Sequence, residues 1–154
     1  DLPLLDEPEH PSAGVYEHEH TRRWSATIEH SDAFVFVTPE YNRGMAAPLK
    51  NALDYLSDEW AYKPAGFVSY GMTSAGLRAV EGAVPVLTAL RMTPVPDAVS
   101  IPLRQRLDER GGLRPDDAMV RSGNTMLTEL NRLAVALRPL REASIAPTRE
   151  AVAS

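Results

Sequence analysis

Ala33-Phe34-Val35-Phe36-Val37 is an unbroken apolar run of β-branched and aromatic residues, closed by Asp32 before it and by Thr38-Pro39 after it. A strand with one wet face alternates polar and apolar residues; a run that does not alternate predicts cover on both faces, as in a parallel sheet. Gly66-Phe67-Val68-Ser69-Tyr70, stopped by Gly71, repeats the pattern. A weaker run spans 95–101, and prolines at 94, 96 and 102 predict that it lies at a sheet edge, where a missing N–H is tolerated. Helical spacing fills the intervals. Trp24 and Ile28, four apart, predict a helix over 21–31 with Thr21 as its cap. Leu49, Leu53 and Leu56 share a stripe with Ala52, and Pro48 suits a first turn. Leu77, Val80, Val84 and Leu87 predict a helix over 74–92, disturbed by Pro85. Met119, Met126, Leu130, Leu133 and Leu137 predict a long amphipathic helix over 115–140. Strand and helix in alternation make an α/β domain, a parallel sheet with helices on both faces.

The 154 residues suffice for one domain and one core, expected over 1–143. Pro3, Pro8, Pro11 and Gly14 make the stretch before residue 20 loop-like, and 144–154 lacks periodicity and is expected to be a mobile tail. No cysteine is present, so disulfides, thiolate nucleophiles and zinc–cysteine sites are excluded. Sixteen Lys and Arg against 21 Asp and Glu give a net charge of −5, which disfavours nucleic acid or an anionic membrane as partner. No apolar stretch approaches the ~20 residues of a membrane span, and the first residues do not resemble a signal peptide. A cytoplasmic protein is the expectation.

In an open α/β sheet, ligands bind beyond the carboxyl ends of the strands. Two abrupt, glycine-containing loops occupy such positions: Thr38-Pro39-Glu40-Tyr41-Asn42-Arg43-Gly44 and Tyr70-Gly71-Met72-Thr73-Ser74-Ala75-Gly76. Tyr41 offers an aromatic face, Glu40 and Asn42 offer hydrogen-bonding groups, and Gly44, Gly71 and Gly76 allow close backbone approach. A helix starting near Pro48 would direct free N–H groups toward the same place. Together the loops could grip a flat, amide-edged ring. His10, His18, His20 and His30 have no metal-site spacing, and no metal is expected.

Phe34-Val35-Phe36-Val37-Thr38-Pro39-Glu40-Tyr41-Asn42, followed by Pro48-Leu49-Lys50-Asn51-Ala52-Leu53-Asp54 and by Lys63-Pro64-Ala65-Gly66-Phe67-Val68-Ser69-Tyr70-Gly71, resembles the NADPH-dependent FMN reductase family, over nearly the whole chain. The resemblance implies a flavodoxin-like, doubly wound fold, FMN as cofactor and NAD(P)H as cosubstrate. It implies hydride transfer through the flavin to a small acceptor such as a quinone or free flavin. It also implies that Pro39, Glu40, Tyr41, Asn42, Arg43 and Gly44 lie along the ring, and that Tyr70, Gly71, Met72, Thr73 and Gly76 reach its pyrimidine edge. No protein acid or base is required, so no catalytic residue is assigned.

The family often has glycine where this chain has Met72. Family members also begin with a strand, a phosphate-binding loop and a helix that have no counterpart before Asp1 in this sequence, and the expectation is that they precede it in the native protein. The alternative is a shortened, flavin-free relative serving as an interaction module. A third possibility compares Met72-Thr73-Ser74-Ala75-Gly76 with the hydrolase elbow G-x-S-x-G; it lacks the first glycine, and no histidine follows His30. Trp60, Tyr62, Asp58 and Glu59 read by themselves as a solvated helix end with one anchoring aromatic; the family resemblance implies instead a subunit surface there, in a homodimer or homotetramer. Tyr16 and His18 either border the pocket or are loop residues that pack locally or meet a second subunit.

Overall fold

The computed structural model describes residues 2–145. Helix α1 (Glu19–Glu29) leads into β1 (Phe34–Tyr41), and a two-residue turn returns the chain as β2 (Gly44–Met45). Helix α2 (Ala47–Asp54), β3 (Pro64–Gly71), α3 (Leu77–Ala89) and β4 (Thr93–Pro102) follow, then a single turn α4 (Leu103–Arg106) and the long α5 (Asp117–Ile145). The sheet order is β2-β1-β3-β4. Strands β1, β3 and β4 are parallel, whereas β2 pairs with the tip of β1 in antiparallel sense. The low-specificity run at 95–101 is indeed an edge strand, longer at both ends than its apolar core.

Helices α1, α2 and α3 cover one face of the sheet. Phe34, Phe36 and Phe67 project into that layer, where Trp60, Tyr55, Leu53, Leu56 and Leu87 are fully buried. Trp60, expected near a subunit surface, therefore belongs to the core: its ring meets Trp24 and Phe34 edge-on, with centroids 6.0 and 5.1 Å away. On the opposite face α5 packs over β3 and β4. Its approach is so close at Gly66 that a Cβ there would sit 2.7 Å from the Met126 sulfur.

Cover on both faces is thus correct for β3 and only half correct for β1. Val35 and Val37 lie 40% and 68% exposed, because α5 is centred on the other two parallel strands. Among the described residues, β1 has no neighbour on its outer side except β2 at Glu40 and Tyr41.

Several boundaries move for local reasons. Helix α1 starts at Glu19 with His18 at its N-cap, and Thr21 is buried inside it instead of capping it. Helix α3 starts only at Leu77, because Ala75 and Gly76 adopt positive φ and cannot be helical. Pro85 is accommodated within it. Helix α5 continues through Pro139 to Ile145, so residues 144 and 145 of the expected tail are helical; 146–154 lie outside the described residues. The N-terminal stretch is tied down: Asn51 exchanges hydrogen bonds with Leu5 N and Pro3 O at 2.9 and 2.6 Å, and the Tyr55 hydroxyl donates to Asp6 at 2.9 Å. Tyr16 packs locally, donating to Glu59 at 2.8 Å, and burial together with that carboxylate pushes its phenol well above the usual range. His18 stacks on His20.

A candidate flavin-type site at the carboxyl ends of the strands

Parallel register places Pro39 beside Tyr70, so the two loops leave neighbouring strands at the same level. The first loop turns within two residues. Asn42 and Arg43 have φ of 48° and 67°, and Tyr41 pairs with Gly44 across them. Positive φ at both central positions marks the turn family whose twist suits a two-residue hairpin; Asn accepts it readily, and Arg at a cost of about 1 kcal/mol. This tight reversal leaves the Tyr41 ring 68% exposed at the sheet's rim.

The second loop is held from below. Ser69 is buried and donates its hydroxyl to Ala75 O at 2.9 Å. Ala75 and Gly76, with φ of 53° and 87°, then bend the chain back over the end of β3. Gly71 is buried there: a Cβ would lie 3.1 Å from Gly76 N and 3.6 Å from the Glu40 Cβ. Met72 and Thr73 are pushed outward and exposed. Between the loops lies an open cavity of about 260 Å³, lined by Glu40, Arg43, Met72, Thr73, Ser74 and Arg78.

Glu40 crosses that gap. One carboxylate oxygen accepts from the Ser74 hydroxyl and, at 3.1 Å, from the backbone N–H of Arg78; the other accepts from the Arg78 guanidinium at 3.1 Å. The Ser74 hydrogen bond, helped by Arg78, holds the Glu40 carboxyl below the usual glutamate range. In the first turn of α3 the Arg78 N–H is therefore already answered by an anion, while the Leu77 and Ala79 N–H groups donate to Ser74 O and Gly76 O. Ser74 donates to this carboxylate and to no histidine: the hydrogen-bonding histidines, His10, His18, His20 and His30, all engage partners in the N-terminal stretch, α1 and Tyr55. The carboxylate that accepts from Ser74 is paired with Arg78 and held below the usual glutamate range, which makes it a poor base, so the hydrolase alternative has no support.

All the candidate residues named from the sequence converge on this edge of the sheet. Pro39 and Tyr70 are half-buried at the strand ends; Tyr41, Asn42, Arg43, Met72 and Thr73 are exposed; Gly44 lies in β2; Gly71 and Gly76 are buried beneath the second loop. Two partners of the site, Ser74 as a hydrogen-bond donor to Glu40 and Arg78 as its counter-ion, were not foreseen, because they lie 34 and 38 residues away from it. A larger cavity of about 650 Å³ sits toward the amino ends of β1 and β3, lined in part by Asp32, Glu59, Lys63 and Arg141. Its cations are committed to structure. Lys63 donates to Ile28 O and Glu29 O at 2.6 and 3.1 Å, closing the end of α1, and Arg141 pairs with Asp32 at 2.6 Å. Burial, and Arg141 nearby, lower the Lys63 amine below its ordinary value. Among the described residues no group of three metal-ligating side chains exists, and no helix is long and apolar enough to cross a membrane.

The cavity's chemistry fits one edge of a planar, amide-bearing ring. Of the residues named from the sequence, Glu40, Arg43, Met72 and Thr73 line it, and the Thr73 hydroxyl offers a donor and an acceptor; Tyr41 and Asn42 are exposed on the adjoining hairpin but are not part of its lining. Its volume takes a ring edge, not an entire nucleotide, and no glycine-rich phosphate loop occurs among the described residues.

The chain is similar in sequence and in fold to known proteins. An NAD(P)H-dependent FMN reductase of Schizosaccharomyces pombe is 44% identical over 108 residues, covering 66% of this chain and 52% of the relative. A protein of the same description from Saccharomyces cerevisiae is 43% identical over 93 residues, 60% of this chain and 48% of the relative. A quinone reductase of Pseudomonas putida is 40% identical over 81 residues, 49% of this chain and 42% of the relative. The chain spans about half the length of the curated relatives it matches. Among solved structures, FerB of Paracoccus denitrificans, described as a flavoenzyme NAD(P)H:(acceptor) oxidoreductase, superposes with a TM-score of 0.62 at 21% identity, covering 90% of this chain and 76% of its own. An oxidoreductase of Corynebacterium diphtheriae superposes with a TM-score of 0.63 at 18% identity, covering 80% and 65%. These likenesses establish the flavodoxin-like fold, with one small antiparallel strand added to the parallel sheet. The profile described as NADPH-dependent FMN reductase matches residues 1–105, and the chain belongs to that family.

Proposed function

We propose that this protein is an NAD(P)H-dependent flavin reductase, which uses FMN held between the 39–44 hairpin and the 70–76 loop to reduce a small acceptor such as a quinone or free flavin. The observation that carries it is the convergence of these loops on one open cavity at the carboxyl ends of adjacent parallel strands. When bound, FMN supplies the two-electron chemistry between nicotinamide and acceptor. The chain's own part is to bind and orient. Tyr41 presents an aromatic face to the ring, and Asn42 and Thr73 engage its polar edge. The assembly proposed is a homodimer or homotetramer, which light scattering measures; the exposed Val35 and Val37 on β1 support burial of that surface against further polypeptide.

Titration with FMN, followed by quenching of flavin fluorescence, tests the proposal, together with quinone-dependent oxidation of NADPH and NADH. Saturable quenching is expected; an unquenched flavin at high protein concentration overturns it. Tyr41→Ala and Asn42→Ala are each expected to weaken FMN binding by about 5- to 20-fold, the worth of one stacking or hydrogen-bonding contact. Unchanged affinity in both would move the site to another loop. Met72→Gly is expected to leave affinity unchanged or to improve it, because the side chain is 54% exposed and crowds the cavity rim. A marked loss would show that the thioether contacts the ligand.

A further inference from the structure

Glu40 is the one acidic residue of the hairpin, and its side chain is only 9% exposed although it lies at the sheet's rim. It is not free to greet a ligand. Both oxygens are spent inside the protein, on the Ser74 hydroxyl, the Arg78 backbone N–H and the Arg78 guanidinium. Those partners belong to the second loop and to the first turn of α3, whereas Glu40 belongs to β1. The carboxylate therefore ties together two segments that no main-chain ladder joins beyond Pro39 and Tyr70. Directly beneath, a Cβ on Gly71 would lie 3.6 Å from the Glu40 Cβ and 3.1 Å from Gly76 N, so the two loops close together only where Gly71 has no side chain. A cross-tie of charged hydrogen bonds over a glycine pair sets the distance between the loops, because the glycines alone leave the backbone loose.

We infer that Glu40 is a positioning residue: through Ser74 and Arg78 it latches the 71–76 loop and the start of α3 to the end of β1, and it fixes the spacing of the two loops that grip the ligand without touching that ligand itself. This rests on the flavin site proposed above. It also assigns Ser74 a role as hydrogen-bond donor to the latch, in place of a nucleophile. The charged groups facing the carboxylate are Arg78 from α3 and Arg43 from the hairpin.

Two arms test it. In the first, no flavin is present, and amide exchange is read at Arg78, whose N–H donates to the latch. Glu40→Ala is expected to speed exchange there by about tenfold or more, with little change in β4. In the wild type this protection persists through the ordinary carboxylate range and disappears only as pH falls below it. The sign follows from a carboxyl held low by its partners: their help is present while it is ionised and lost on protonation. In Glu40→Gln, which cannot titrate, the profile is flat. Unchanged exchange at Arg78 in Glu40→Ala overturns the latch.

The second arm is a double-mutant cycle in FMN affinity. Glu40→Gln and Ser74→Ala each weaken binding, by about 3- to 10-fold, and the double variant is no weaker than the worse single one, because both break one device. If Glu40→Gln weakens binding while Ser74→Ala and Arg78→Met leave it at the wild-type value, Glu40 contacts the ligand directly and the inference is wrong. Wild-type protein that fails to quench FMN while the exchange arm behaves as described removes the flavin site and leaves the latch standing. Wild-type protein that binds FMN with all latch variants at full affinity removes the inference and leaves the flavin site standing.

Discussion

Gly76→Ala is expected to lower stability by about 3 kcal/mol, read as a fall of roughly 6–12 °C in the thermal midpoint for a domain of this size. Two costs combine. At φ of 87° an L-residue pays for the left-handed region, about 1 kcal/mol relative to glycine. The new Cβ would also lie 2.6 Å from both the Ser69 Cβ and the Tyr70 N, and 3.0 Å from the Ser69 carbonyl carbon. Two of these atoms are backbone of a strand hydrogen-bonded between β1 and β4, so they cannot step aside. The loop must lift instead, and the Ser69 hydroxyl then loses Ala75 O. Gly82→Ala is the control. Gly82 lies on an exposed part of α3, nothing approaches its Cβ position within 4 Å, and removing a helical glycine there is expected to add about 0.5–1 kcal/mol. A Gly76→Ala midpoint no lower than that of the wild type would show that the loop does not pack as described. Because the same bend aims Met72 and Thr73 at the cavity, FMN affinity should fall along with stability.

How far these features could be read in advance depends on how local their causes are. Gly71 ends β3 as expected, whereas β1 runs past Pro39 to Tyr41 and is reversed only by the hairpin; the abrupt, glycine-containing sequences still made both loops legible, and with them the place of the cavity. The apolar run at 33–37 reported a strand correctly but not its surroundings. Val35 and Val37 have the same composition as a doubly covered strand, yet α5 lies over β3 and β4, and the position of a helix some 90 residues onward leaves no mark on a five-residue window. The β1–β2 hairpin was hidden for a different reason. Its central pair is Asn42-Arg43, and without the Asn-Gly or Asp-Gly that normally announces such a turn, the positive φ at Arg43 is imposed by the ladder pair of Tyr41 with Gly44. Trp60 shows the same limit. Between Asp58-Glu59 and Ala61 it reads as one aromatic in a polar helix end, and only the fold of α1, α2 and β1 around it turns that position into the centre of the core. The latch at Glu40 depends wholly on tertiary contacts.

Trp60→Ala should be the most damaging single change among those considered, costing about 4 kcal/mol in urea unfolding. The indole is entirely buried and fills the space where α1, α2 and β1 meet, with Trp24, Phe34 and Phe36 at 6.0, 5.1 and 6.3 Å between ring centroids. Truncation leaves a cavity that neighbouring rings on a strand and a helix cannot close. A second loss is polar. The last carbonyls of any helix lack intrahelical partners, and the indole N–H donates to Leu53 O, one residue from the end of α2, at 3.1 Å. Deletion orphans that buried carbonyl, worth about 1–3 kcal/mol by itself. Trp60→Phe separates the terms: most of the volume remains while the donor is lost, so about half the damage is expected. Phe34 and Phe36 rest on this indole and lead directly into Thr38, Pro39 and Glu40, so the hairpin is carried on the same aromatic stack. Trp60→Ala should therefore weaken FMN binding even at temperatures where the protein remains folded, and its remaining indole, Trp24, reports the fold by fluorescence. A loss below about 1 kcal/mol would mean that the stack collapses into the gap, and that the rim of the sheet does not depend on the residue beneath it.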